Sequence, residues 1–224
     1  MPGREEPLVT GEYYHIYNRG ITDLDTFPIQ KDYLRFVEIF NYYKLIKPPI
    51  RFSYYLRLPD ERKEQLLSNI VNSQRKVKVI CYCLMPNHFH LLIKQIADFG
   101  VSNFLSQSTN SYTRYFNTKR FRKGPIFQGT FKSVGIESEE QLIHVSRYIH
   151  INPYSAGVVK TTKDLENYPF SSFSEFISDE VSPICDKQPV LSLFPSKEEY
   201  RKFVLNQADN QRQIEFIKHL VLDT

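Results

Sequence analysis

Two of the chain's six histidines, His88 and His90, stand one residue apart in the run "MPNHFHLLIK" (85–94). Residues two apart in a strand share a face, so the two imidazoles project together while Phe89 turns to the other side. Neutral imidazole is the commonest metal ligand, and this pair could share one ion. A pair is only half a site, and the spacing also fits histidines on an exposed strand face. The other half could come from "SEEQLIHVSRYIHINP" (138–153). Its apolar stripe is Leu142, Val145 and Ile149, and beside that stripe run Gln141, His144, Tyr148 and Asn152 at helical spacing. Tyr148 and Asn152, four apart, lie on one helix face. A phenol and an amide oxygen presented together would set a nucleophile beside a metal ligand. The alternative is a boundary tyrosine and an asparagine that caps the helix before Pro153.

Joined, the two halves define a reaction. Tyrosine ionises only near pH of about 10, so its phenol is a poor nucleophile unless its target is activated. A divalent ion on two imidazoles and one amide oxygen keeps positions open for non-bridging phosphate oxygens and can polarise the phosphorus. Attack by Tyr148 would give a covalent phosphotyrosine and release a sugar hydroxyl, and the stored ester could rejoin a different strand.

These residues need elements to hold them. "EYYHIYNRG" (12–20) alternates like a strand and closes on Gly20. "KDYLRFVEIFNYYKLI" (31–46) repeats apolar residues at helical spacing and stops before Pro48. Residues 47–76 are polar and read as a surface insertion with a short helix. Residues 76–95 divide at Met85-Pro86-Asn87 into an antiparallel hairpin. An amphipathic helix follows over 101–118, then strand-like "IFQGTFKSVGI", then a helix opened by a Ser138…Gln141 capping box and ended near Ile151 by Pro153. The order strand, helix, strand, strand, helix, strand, helix predicts a ferredoxin-like α+β fold, an antiparallel sheet with helices packed on one face. Residues 1–160 form the catalytic unit. Residues 161–224 form a helical C-terminal extension docked on it, with a helix opened by Ser196…Glu199 and another over about 209–222.

Composition sets bounds. Apolar residues at 41% and charged residues at 24% are ordinary for a globular protein. No apolar run reaches membrane-spanning length and the start has no leader pattern, so a cytoplasmic protein without a membrane is expected. Cys81, Cys83 and Cys185 make neither a disulfide framework nor a zinc set. The net charge of +4 is modest, but no acidic residue occurs between Asp98 and Glu137. Arg114, Lys119, Arg120, Arg122, Lys123 and Lys132 fall there, interleaved with Phe104, Tyr112, Tyr115, Phe116, Phe121, Phe127 and Phe131. Cations for phosphates and rings for unstacked bases suit single-stranded nucleic acid; a basic solvated face over core aromatics is the plainer reading.

"PNHFHLLI" with "RYIHINPYSAGVV" resembles the HUH single-tyrosine transposases of the IS200-like kind, and within them the REP-associated tyrosine transposases. "YHIYNRG", "GPIFQGTFKS" and the closing "LSLFPSKEEYRKFV" fit the same family, so the resemblance covers most of the chain. It implies Mg²⁺ or Mn²⁺ on His88 and His90, Asn152 as third ligand, and Tyr148 forming a 5′-phosphotyrosine link. It also implies substrates that are single-stranded DNA hairpins from repeated palindromes, handled by a monomer or a homodimer. Two departures stand out. Asn152 precedes proline, which leaves Gln141 or His144 as substitute ligands, and Phe127 replaces a tryptophan common in relatives. Against strand transfer stand a non-catalytic hairpin-binding regulator, a replication-initiator nickase and a zinc hydrolase, the last lacking a third ligand of convincing spacing.

Overall fold

The computed structural model describes residues 7–71, 75–179, 182, 184–206 and 208. Four strands, β1 (Tyr13–Arg19), β2 (Val77–Met85), β3 (His88–Gln95) and β4 (Lys132–Ile136), form one antiparallel sheet in the order β2-β3-β1-β4. Helices α1 (Gln30–Tyr43), α2 (Phe52–Tyr55), α3 (Asp60–Val71), α4 (Gly100–Lys119) and α5 (Glu139–Ser155) complete the first part, and α6 (Thr162–Glu166), α7 (Phe173–Ile177), α8 (Gln188–Leu191) and α9 (Lys197–Leu205) follow. The α+β order read from the pattern is present. The tail helix expected over about 209–222 lies outside the described residues.

The period of two in β3 divides the core. Phe89, Leu91 and Ile93 pack with α1 and α4, while Leu92 joins Ile80, Cys81 and Cys83 of β2 under α5. Helices therefore cover both faces: α1 and α4 take one, and α5 with the tail takes the one that carries His88 and His90. This is why β3 reads as a nearly continuous apolar run, since a central strand covered on both sides has no solvent face to mark with polar residues.

The aromatic-rich stretch after residue 160 protects the β2 edge. Leu84 N–H donates to Phe170 O, Ser172 N–H to Tyr82 O, Asp186 N–H to Val79 O, and Tyr82 N–H to Ser172 Oγ. An edge strand paired this way offers no free template to another chain. Phe52, on the segment after α1, is 4% exposed and packs in the α1/α4 core, so the polar stretch 47–76 is tied inward there.

Two local features differ from the pattern. The strand-like "IFQGTF" is a loop apart from an isolated bridge between Gly20 and Phe127, and β4 begins only at Lys132. Helix α5 does not end before Pro153 but runs through it to Ser155. Proline there sacrifices one bond to the carbonyl four residues back. In return Ile151, Asn152, Pro153 and Tyr154 stay buried, and the end is closed by Ala156 N–H to Asn152 O and Gly157 N–H to Tyr154 O. Gly157 holds φ +70°, the left-handed turn that stops a helix.

One buried carboxylate joins the helices of the other face. Asp32, in the first turn of α1, is 0% exposed and accepts from Lys119 Nζ at 2.9 Å, Tyr115 Oη at 2.9 Å and the Arg120 guanidinium. The acid sits at one helix's start and the cations at the other's end, the favourable sense for both dipoles. Burial pushes the Asp32 carboxyl up, but the three hydrogen bonds and the Arg120 charge outweigh it and hold it below its ordinary value. Charge-assisted bonds contribute roughly 1.5–3 kcal/mol each; an amide in place of the carboxylate loses the charge and one of the two acceptor oxygens, while the partly exposed cations can rehydrate. Asp32→Asn should therefore cost about 2–3 kcal/mol at pH 7, read as a lower urea midpoint with unchanged slope. The difference should shrink below pH of about 4, where the wild-type carboxyl titrates in the unfolded chain and its stabilisation is lost through the lowered folded value.

Candidate active site

The hairpin turn between β2 and β3 places His88 at the mouth of a cavity. Gly20 N–H donates to Asn87 O and Phe27 N–H to Pro86 O, fastening the turn to the end of β1. A Cβ on Gly20 would lie 2.3 Å from Leu24 O, so only glycine passes there. Beside it, Arg19, Asp25, Asn87, His88, Tyr148 and Asn152 line a cavity of about 390 Å³. Two sequence segments some sixty residues apart thus meet in one place, because α5 packs across β2 and β3 on the histidine face.

Ring geometry defines the site further. The His90 and Tyr148 rings lie 5.4 Å apart edge to face, and His88 and His90 5.1 Å apart at 89°. His88 Nδ1 is 2.6 Å from Asn87 Oδ1. An amide oxygen only accepts, so Nδ1 is the donor and Nε2 keeps its lone pair. His90 Nδ1 lies 3.0 Å from His15 Nε2. With His90 as donor of that bond, its Nε2 also keeps a lone pair, the arrangement in which a neighbouring group fixes the tautomer of a metal-ligating imidazole.

Burial keeps these imidazoles neutral. It depresses His15 to about 4 and His90 well below the ordinary histidine value, with His88 and His15 adding to the effect on His90. His88 is brought to about 4 by burial first and the Arg19 charge second, partly offset by a hydrogen bond with the Asn152 side chain. Two neutral ring nitrogens with an amide beside one of them are what a divalent cation requires of its ligands, so the side chains fit one. Among the described residues no group of three His, Cys, Asp or Glu adds a further metal set.

The other candidate ligands are occupied elsewhere. Gln141 Oε1 accepts from Glu137 N–H at 2.7 Å and its Nε2 donates to Gly135 O, so it closes the start of α5. His144 Nδ1 is 2.7 Å from Arg147 Nη2. His150, which the helix geometry turns away from Tyr148, is fully buried between Tyr200 Oη at 2.7 Å and Ser172 Oγ at 2.8 Å. Because α5 continues through Pro153, Asn152 keeps the helical direction and reaches His88.

The basic residues divide by position. Lys119 and Arg120 are held by Asp32, and Arg122 donates to Pro125 O at 2.8 Å and Asn117 Oδ1 at 3.2 Å, closing the end of α4. Lys132 pairs across the sheet with Tyr17, its Nζ 5.9 Å from that ring, and Tyr17 stacks 5.8 Å from His90. Arg114 and Lys123 are exposed. The interleaved aromatics are largely core: Phe104, Tyr112, Phe116 and Phe127 are buried, whereas Phe121 is 99% exposed. Phe127 is 6% exposed and packs against Phe36 and Phe89.

Sequence reasoning gave no role to Tyr17 or Arg19. Alternation in "YHIYNRG" sets His15, Tyr17 and Arg19 on one face, but only the register, with Tyr17 opposite His90 and Arg19 opposite His88, shows that this face is the histidine face.

Comparison with known proteins adds the following. Residues 46–152 match the family model described as transposase IS200 like. A Haemophilus influenzae protein named as a REP-associated tyrosine transposase is 24% identical over 143 residues, spanning 55% of this chain and 80% of its own. A solved structure described as a REP-associated tyrosine transposase bound to a REP hairpin superposes with a TM-score of 0.56 at 16% identity, covering 80% of this chain and 87% of that one. The fold is shared with that structure.

The histidine environment makes a direct prediction. Ring protons of His15 and His88 should titrate near pH 4 in NMR spectra rather than near 6.5. Since the unfolded chain takes up these protons first, stability should fall as pH drops from about 6.5 toward 4.

Proposed function

The chain matches the IS200-like transposase family over residues 46–152, and from that premise we propose that it cleaves and rejoins single-stranded DNA at hairpins of repeated palindromes through a phosphotyrosine at Tyr148. The observation that carries the reading is the edge-to-face approach of Tyr148 and His90 at 5.4 Å in a site where Asn152 reaches His88. The relative named as a REP-associated tyrosine transposase supports the substrate class.

In this reading His88 and His90 through their Nε2 atoms and Asn152 through its amide oxygen would hold Mg²⁺ or Mn²⁺. Bound there, the ion would supply Lewis-acid polarisation of a DNA phosphate. A set with only two imidazoles and no thiolate or carboxylate is poor for a structural zinc and leaves room for phosphate oxygens. Tyr148 Oη attacks the phosphorus; the P–O3′ bond breaks and the P–Oη bond forms. The phenol gives up its proton and the departing 3′ oxygen gains one, so the step is proton-neutral overall and its ester energy is retained for rejoining. Arg19, opposite His88 and lining the cavity, would take a phosphate oxygen, and the contacts of the partly buried Tyr148 ring with His15 and His90 would orient the phenol for in-line attack. Lys132, beside Tyr17, extends the positive charge along the same face.

The test is a denaturing gel of the protein with labelled single-stranded hairpins from repeats flanking its gene. A covalent adduct should form with Mn²⁺, disappear with EDTA, and fall at least a thousandfold in Tyr148→Phe while hairpin affinity stays within about threefold, since the lost group is the nucleophile rather than a binding contact. Hairpin binding without adduct in the wild type would instead mark a non-catalytic hairpin-binding regulator.

A further inference from the structure

Two adjoining grooves are lined without a single carboxylate. One, of about 880 Å³, lies among α1, α2 and α4 and is rimmed by Arg35, Arg51, Arg57, Arg114 and Lys119 over a floor that includes Phe52. The other, of about 1250 Å³, runs between α4 and the loop that precedes β4 and reaches Tyr17 and Lys132. Ser106 and Asn110 line both, so the grooves meet across α4. Tyr17 stacks on His90, so the second groove opens onto the histidine face. The first lies on the opposite face of the sheet, with α1 and α4.

The cations around the first groove are unequal. Lys119 is paired with Asp32, and Arg35 lies 3.3 Å from Glu38. Arg51, Arg57 and Arg114 are exposed, and their side chains have no hydrogen-bond or ion-pair partner among the described residues. Exposed guanidinium groups without carboxylate neighbours repel one another and call for an anion. The wall that α4 adds between them consists of hydroxyls and amides, Ser106, Gln107, Asn110, Ser111 and Thr118. Arginine together with Ser, Thr, Asn and Gln is the set that contacts phosphate and sugar along a nucleic acid. An acidic protein segment would satisfy the charge alone. It would not account for a second groove, also lined without a carboxylate, that continues from the first to Tyr17 beside His90.

We propose that Arg51, Arg57 and Arg114 bind the phosphate backbone of the substrate DNA away from the cut, and that the two grooves lead it from the α1/α4 face to Tyr148. This rests on the strand-transfer reading above. It assigns two arginines from the segment after α1 to DNA binding, and it gives Arg114 a place remote from the chemistry.

Counterion release makes the proposal measurable. Each phosphate neutralised on a duplex contributes about 0.9, and on a single strand about 0.7, to the slope of log K against log salt. Hairpin affinity would be measured in EDTA, where nothing is cut, by fluorescence anisotropy over a range of NaCl. The triple variant Arg51→Ala/Arg57→Ala/Arg114→Ala should lower the slope by about two to three. The corresponding triple Arg→Lys variant, which keeps the charges, should restore most of it. Circular dichroism of both should match the wild type, because all three side chains lie on the surface. An unchanged slope in the alanine variant would overturn the proposal while leaving the strand-transfer reading intact, and would give the groove to another anion such as an acidic protein segment. Equal loss in the lysine variant would also overturn it, since charge would then not be the cause. Failure of the wild type to bind any hairpin would remove both readings together.

Discussion

The antiparallel pairing of β1 with β3 is the constraint on which the site depends. Its register sets Leu92 against His15, His90 against Tyr17 and His88 against Arg19. A slip of one residue would turn both histidines into the α1/α4 core and bring Phe89 to the site. The register is held at one end by the turn that Gly20 and Phe27 fasten, and at the other by Gln95, whose N–H donates to Glu12 O and whose carbonyl accepts from Gly11 N–H. Once it is fixed, His15 can bond His90 and the helix that packs over this face meets two imidazoles already aligned.

Helix α5 carries Tyr148 in its interior, and it holds Asn152 in the helical direction because it continues through Pro153. Its fit is secured on the far side, where His150 is buried between Tyr200 and Ser172 and Ser146 Oγ accepts from Tyr200 Oη. The same helix thus presents Tyr148 and Asn152 to one side and His150 to the other, and the tail that bonds His150 also covers the β2 edge. Buried polar groups satisfied in this way specify one packing of the helix, and with it one position for Tyr148 and Asn152. Strand register, the contacts of the tail and the position of Tyr148 are therefore linked through α5.

Much of this was legible in the sequence. The alternation around His88 and His90, and the helical spacing of Tyr148 and Asn152, are local properties, and the order of strands and helices follows from the same periodicities. What is not local was not legible. Pro153 argues for a helix end by backbone sterics, and only the burial of Ile151 and Tyr154 overrides it. The basic stretch looked uniform, yet Asp32, more than eighty residues away, pairs with Lys119 and Arg120 and so sets them apart from the rest. Phe104, Tyr112 and Phe116 look like base-stacking rings in composition and are core in space. Helices on both faces, rather than one, follow from the nearly unbroken apolar run of β3, a signal whose meaning depends on what packs against it. Arg51 and Arg57 sit in a segment whose polarity alone gives no reason to separate them from ordinary surface.

In the proposed reaction His88, His90 and Asn152 would hold one divalent ion against the phosphate that Tyr148 attacks. Crystals of Tyr148→Phe grown with a hairpin and Mn²⁺, measured at a wavelength where manganese scatters anomalously, test it most directly. The account predicts a single anomalous peak within about 2.3 Å of His88 Nε2 and His90 Nε2, bridging to a DNA phosphate oxygen beside residue 148. Bound hairpin with no peak between the two histidines, or with the phosphate remote from residue 148, would contradict it.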